Sequence, residues 1–171
     1  MIEAFKLILK THPQTDWKLV LAGGSLESPA KNSYLHHLQH LASGSPIDFV
    51  INPDFKTLAD LYSRSKIYWH AAGYEVDENL HPESTEHFGI APVEAMASGL
   101  VPLVVAKGGL PEIINDGQNG YLWETIPDLV AKTNLLIDSD QLLKEISQAA
   151  IIKSQEFSKE KFTANFLLIT K

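Results

Sequence analysis

Glu86 and Glu94 stand eight positions apart, with His87-Phe88-Gly89-Ile90-Ala91-Pro92-Val93 between them. An ionised carboxylate only accepts hydrogen bonds, so such a pair suits the O–H donors of a sugar or a ribose. The residues between them, Phe88-Gly89-Ile90 and then Pro92, read as a loop opening into a helix. A helix N-terminus offers unpaired N–H groups and the positive end of a dipole, which suits a diphosphate. Gly89, lacking a side chain, lets a ligand approach the Phe88, Gly89 and Ile90 amides closely. Amides for an anion and carboxylates for hydroxyls together make the chemistry of a nucleotide-sugar site. Each residue also has a plainer reading. Glu86 could be an exposed loop carboxylate, and Phe88 and Ile90 could plug a core. Pro92 at the first helical position places Glu94 at the third, where dipole and capping geometry alone favour glutamate.

Two glycine pairs extend the candidate site. Gly23-Gly24 follows a short apolar segment and could let a phosphate or a partner domain come close, although glycine at a strand end is usually a turn. Gly108-Gly109 follows the most hydrophobic stretch of the chain and is expected to line a nucleotide pocket through its backbone. Asn115-Asp116-Gly117 and Asn119-Gly120 read as a helix stop and a tight turn. His36 and His40 are four apart on a helical segment, but no cysteine or nearby carboxylate completes a metal set, and no metal site is expected. Arg64, the chain's single arginine, falls at a helix C-terminus, where a cation complements the dipole. Lys107 is the candidate cation for a diphosphate, by position alone.

These residues must be held by an ordered scaffold, and the chain can supply one. Its 171 residues, 44% hydrophobic and 20% charged, suit one soluble globular domain. A net charge of −7 argues against nucleic acid and against electrostatic adhesion to anionic lipid. The absence of cysteine excludes disulfides and fits a reducing, cytoplasmic setting. No apolar run approaches the ~20 residues that span a bilayer, which leaves peripheral membrane association open.

Helical and strand patterns alternate. Helices are expected over Ile2–His12, Asn32–Ala42, Lys56–Ser65 and Pro92–Ser98, with a helical turn over Pro111–Ile114. From Ile126 onward the pattern is helical, broken near Asp138-Ser139 and Phe157-Ser158. Strands are expected over Trp17–Ala22, Asp48–Ile51, Lys66–Ala71, Val101–Ala106 and Gly120–Trp123, with a polar loop over Gly73–Thr85. This order predicts an α/β fold with a doubly wound, Rossmann-like parallel sheet. Ligands of such sheets bind beyond the carboxyl ends of the strands, where Gly23-Gly24, Gly73 to Phe88 and Lys107 to Leu110 would share one rim.

The Glu86-to-Glu94 segment resembles the Glu–seven residues–Glu motif of the family-four retaining glycosyltransferases, which have the GT-B architecture. Gly108-Gly109-Leu110-Pro111-Glu112 and Asn115-Asp116-Gly117-Gln118-Asn119-Gly120 follow in that family's order, and the resemblance covers most of the chain. It implies transfer of a hexose from a GDP- or UDP-linked donor to a hydroxyl acceptor, with retention and without metal or other cofactor. In its terms Glu86 is the catalytic-site carboxylate beside the transferred sugar, and Glu94 takes the ribose hydroxyls. The amides of Phe88, Gly89 and Ile90 then face the sugar and the distal phosphate. Glu86-His87-Phe88-Gly89 is similar to the branch with dolichol-linked α-1,2-mannosyltransferases, which leans the donor toward GDP-mannose. The family's donor half opens on a strand, and its basic diphosphate grip lies before the segment matching Ile2-Glu3-Ala4-Phe5. Residues 1–171 are therefore expected to be a single C-terminal donor-binding domain truncated at its first strand, partnered by an N-terminal Rossmann-like acceptor domain. A non-catalytic nucleotide-sugar-binding module and a GT-B phosphorylase are the alternatives.

Overall fold

The computed structural model describes residues 1–25 and 33–169. It divides into two compact units, Met1–Leu61 and Tyr62–Lys171.

The first unit carries α1 (Ile2–Thr11), β1 (Leu19–Gly23), α2 (Ser33–Ala42), β2 (Ile47–Ile51) and most of α3 (Phe55–Arg64). Helical spacing puts Ile2, Phe5 and Ile8 on one buried face of α1. Each such side chain, taken out of water, contributes about 1.5–3 kcal/mol. β1 and β2 pair in parallel, with Leu19 opposite Ile47 and Gly23 opposite Ile51. Asn52, at φ 52°, turns the chain out of β2, and its side chain ties back to the backbone of Ser25. Asn32, the expected first residue of the second helix, lies outside the described residues, as do the last two residues of the expected terminal helix.

Gly23 and Gly24 close β1 in this unit. A Cβ on Gly23 would meet nothing within 4 Å. We therefore expect Gly23→Ala to leave stability within about 0.5 kcal/mol, the usual range for an unconstrained surface change. A melting curve checks this. An equal Tm combined with weaker nucleotide binding would identify a ligand approach at this turn.

The second unit carries β3 (Ile67–His70), α4 (Ile90–Ala97), β4 (Val101–Val105), α5 (Leu110–Ile113), β5 (Tyr121–Trp123), α6 (Ile126–Ile137), α7 (Asp140–Ser154) and α8 (Lys159–Ile169). Its strands run parallel in the order β3-β4-β5. All five residues of β4 are buried, because a central parallel strand is covered on both faces. α4 and α7 pack beside it, with Ala95, Met96, Ile146 and Ala150 in the core. The helical breaks have hydroxyl caps. Thr125 accepts from the Asp128 N–H ahead of α6, and Ser139 from the Leu142 N–H ahead of α7. Ser158 accepts from the Lys161 N–H in the first turn of α8. Among the described residues no helix is long and apolar enough to cross a membrane.

The class is therefore α/β with parallel strands, as expected, with one parallel sheet in each unit, of two strands in the first and three in the second.

Candidate functional site

α4 begins earlier than its sequence suggests. Its N-cap is Gly89, at φ 84°, and the first helical residue is Ile90. Only glycine adopts that left-handed geometry cheaply, and an added Cβ would lie 2.9 Å from Leu110 Cδ2. Pro92 thus sits at the third helical position and Glu94 at the fifth. Proline is tolerated there because a first-turn N–H has no intrahelical acceptor to lose. The expected placement of Glu94 at the third position is corrected, and the capping explanation for it falls away. Pro92, Ala95 and Met96 face the core, while Glu94 is exposed on the opposite side.

Glu86 is fastened by its own loop. Its Oε1 accepts the Gly89 N–H at 3.0 Å and the Phe88 N–H, more weakly, at 3.4 Å. The amides of Phe88 and Gly89 are therefore donated to Glu86, and among the expected donors Ile90 remains without an intrahelical acceptor. The other oxygen, Oε2, points toward His70 Nε2 at 3.8 Å, beyond hydrogen-bond range. Phe88 and Ile90 are 48% and 67% exposed, so neither plugs the core. Phe88 instead meets Phe157 edge-on, with centroids 5.7 Å apart.

Glu86 and Glu94 both bear electrostatically on Tyr68. Both raise the pKa of the Tyr68 phenol, after burial, which is the largest cause. Glu94 also raises that of Tyr62, again after burial. Tyr62 and Tyr68 pack edge to face, 6.3 Å between centroids. Both carboxylates thus act electrostatically on Tyr68, which packs on Tyr62.

Gly108 and Gly109 are brought against the Glu86 segment. The Gly109 N–H donates to the Glu86 carbonyl at 2.9 Å. A Cβ on Gly109 would lie 1.9 Å from the His87 carbonyl oxygen, and one on Gly108 2.3 Å from that of Glu86. This close backbone approach explains the pair without a ligand. The Gly108 N–H donates to Glu78 Oε2 at 2.9 Å, and the Lys107 ammonium donates to the Val76 carbonyl. Tyr74 packs on Trp123, 5.2 Å between centroids. The long loop from Gly73 to Thr85 is thereby stitched to the segment after β4. Gly23 and Gly24 belong to the first unit and are placed there alone. The Asn115–Gly120 turn is structural: buried Asn119 accepts from the Asn115 N–H and donates to the Ile113 carbonyl.

His70 and Glu78 were not singled out from the sequence. A histidine closing an apolar strand has no diagnostic spacing, and Glu78 meets Gly108 across 30 positions. The alternation Tyr68-Trp69-His70 was the available signal, since it puts Tyr68 and His70 on one face of β3. Trp69, on the other face, donates to Thr133 of α6.

Comparison with known proteins gives a consistent kinship. The family model for glycosyl transferases group 1 matches residues 1–153. A GDP-Man:Man(3)GlcNAc(2)-PP-Dol alpha-1,2-mannosyltransferase of Xenopus laevis is 32% identical over 97% of this chain and 34% of its own length. A D-inositol 3-phosphate glycosyltransferase of Corynebacterium aurimucosum is 25% identical over 92% of this chain and 36% of its own. A solved C-terminal domain of a glycosyl transferase group 1 family protein from Francisella tularensis superposes with a TM-score of 0.70. That structure is 27% identical and covers 94% of this chain and 77% of its own. An Anabaena protein solved with UDP and glucose shares the fold at a TM-score of 0.69 and 21% identity, over 97% of this chain and 44% of its own. The chain spans about a third of the length of the curated relatives it matches.

Proposed function

The chain belongs to the glycosyl transferases group 1 family, and from this premise we propose that it binds the nucleotide-sugar donor of a retaining hexosyltransferase, with GDP-mannose as the preferred donor. The observation that carries the reading is the mouth of α4. There Glu86 is locked by the Phe88 and Gly89 amides, and Glu94 lies within electrostatic reach of the same tyrosine. The likeness to dolichol-linked mannosyltransferases supports the choice of donor.

In this reading the Ile90 amide and the positive end of the α4 dipole take charge developing on the departing diphosphate. Glu94 accepts hydrogen bonds from the ribose hydroxyls. Glu86 Oε2, the oxygen not engaged by the loop amides, faces the hexose and favours partial positive charge at its anomeric carbon. Gly108 and Gly109 border the nucleotide through their backbone. The donor chemistry requires no metal and no cofactor. A Rossmann-like domain would hold the acceptor, whose hydroxyl attacks the anomeric carbon as the diphosphate leaves, and on this reading the enzyme works in the cytoplasm.

Calorimetric titration of the 171-residue chain with GDP-mannose, UDP-glucose and GDP decides the matter. We expect saturable binding of GDP-mannose, tighter than of UDP-glucose, and no steady sugar transfer by this chain alone. Failure of every nucleotide sugar to bind would overturn the donor-site reading. Release of sugar 1-phosphate from an added glycan and inorganic phosphate, with nucleotides ignored, would make the protein a phosphorylase.

A further inference from the structure

His70 closes β3 with its ring between two partners. Nδ1 lies 3.3 Å from the Tyr68 hydroxyl, and Nε2 lies 3.8 Å from Glu86 Oε2. Nε2 is buried and has no hydrogen-bond partner among the described residues. An unsatisfied buried donor is costly, so its position opposite a carboxylate oxygen calls for a physical account. The ring has two neutral tautomers. A lone pair on Nε2 would face the Glu86 carboxylate and be repelled, whereas an N–H there is attracted. The proton therefore belongs on Nε2, which leaves Nδ1 to accept from the Tyr68 O–H. The result is a directed chain: Tyr68 hydroxyl to His70 Nδ1, and His70 Nε2–H toward Glu86 Oε2. The Phe88 and Gly89 amides hold the other Glu86 oxygen.

We propose that His70 is the positioning residue for Glu86, its Nε2–H fixing the carboxylate so that Oε2 faces the transferred hexose, with the Glu86 charge setting the imidazole tautomer and the Tyr68 hydroxyl donating to Nδ1. The proposal rests on the donor-site reading above. Burial of Nε2 keeps a ligand from touching it, so His70 acts through Glu86 and is not itself catalytic. A movement of roughly 1 Å would bring the pair into hydrogen-bond range.

Protonation opposes this arrangement. Burial pushes the His70 pKa below its ordinary 6.5, and Glu86 opposes that shift. The groups facing the ring are Tyr68 on its own strand and Glu86 on the loop. Tyr62 of α3 and Glu94 of α4 bear on the Tyr68 hydroxyl. Because the folded value is lowered, the neutral ring and its aim on Glu86 are present at and above pH 6.5 and are lost as pH falls through the folded value. The imidazolium would turn Nδ1 into a donor, reverse the Tyr68 hydroxyl and cancel the Glu86 charge.

The test joins nitrogen NMR of the imidazole to ligand titration. In the wild-type chain we expect the Nε2–H tautomer, titrating below 6.5, and Glu86→Gln should lower that pKa further. Tyr68→Phe should keep the Nε2–H tautomer, because the Glu86 carboxylate selects it. His70→Leu should cut the ratio of GDP-mannose to GDP affinity about tenfold while GDP affinity holds, and His70→Gln, which keeps an N–H near the Nε2 position, should restore most of it. An unchanged ratio in His70→Leu, or a His70 titration indifferent to Glu86→Gln, would overturn the proposal. If GDP-mannose fails to bind even the wild-type chain, the donor-site reading falls, and the coupled titration still decides whether His70 and Glu86 are paired.

Discussion

Glu86→Gln is expected to lower sugar transfer by roughly 100- to 1,000-fold in a form of the enzyme that carries an acceptor domain, the range seen when one transition-state contact is removed. The substitution is nearly isosteric. Its amide oxygen can still accept the Phe88 and Gly89 N–H groups that Oε1 takes now. What changes is the oxygen facing His70, which becomes an NH2 donor with no charge to offer the hexose. GDP affinity should therefore hold while GDP-mannose affinity falls. Glu94→Gln should behave differently. It is exposed on the second turn of α4, free of capping duty, and its proposed partners are ribose hydroxyls present in both ligands. We expect GDP and GDP-mannose to weaken together, by about ten- to a hundredfold, the value of one or two hydrogen bonds to a charged group. Calorimetry on both variants separates the two roles. Identical losses for both ligands in Glu86→Gln would contradict its assignment to the sugar.

Gly109→Ala should be the most destabilising single methyl in the second unit. The new Cβ would sit 1.9 Å from the His87 carbonyl oxygen and 2.8 Å from its carbon. Both are backbone atoms, so relief requires the two segments to part. Parting also stretches the Gly109 N–H bond to the Glu86 carbonyl and moves the base of the candidate site. We expect a loss of about 3 kcal/mol or more, which lowers Tm by roughly 6–12 °C for a chain of this size. GDP-mannose affinity should fall with it. A Tm within about 2 °C of the parent, with affinity intact, would mean that the Gly108-Gly109 segment does not press on the Glu86 loop.

Elements fixed by local chemistry were legible in the sequence, and those fixed at a distance were not. The breaks near residues 138 and 158 could be read because Ser139 and Ser158 cap the helices that follow. β4 could be read because a strand buried on both faces needs a continuous apolar run. The start of α4 was misjudged by two residues. Pro92 is a common first helical residue, but the backbone turns at Gly89, whose left-handed φ and closeness to Leu110 leave no room for a side chain. Glu86 and Glu94 could be named from spacing and family likeness. The group that organises Glu86 could not, since the His70 contact depends on β3 and the loop meeting in space. Lys107 was a candidate cation by position, and the structure directs its ammonium to the Val76 carbonyl. Lone side chains predict chemistry poorly when their partners are decided by a loop.

The central claim is that the mouth of α4, with the Ile90 amide, Glu86 and Glu94, seats the donor. The most direct measurement is a crystal structure of the chain with GDP-mannose. It should place the ribose hydroxyls on the Glu94 carboxylate, the diphosphate at the mouth of α4 and a hexose hydroxyl against Glu86 Oε2. A well-ordered nucleotide bound elsewhere, touching neither carboxylate, would contradict the account.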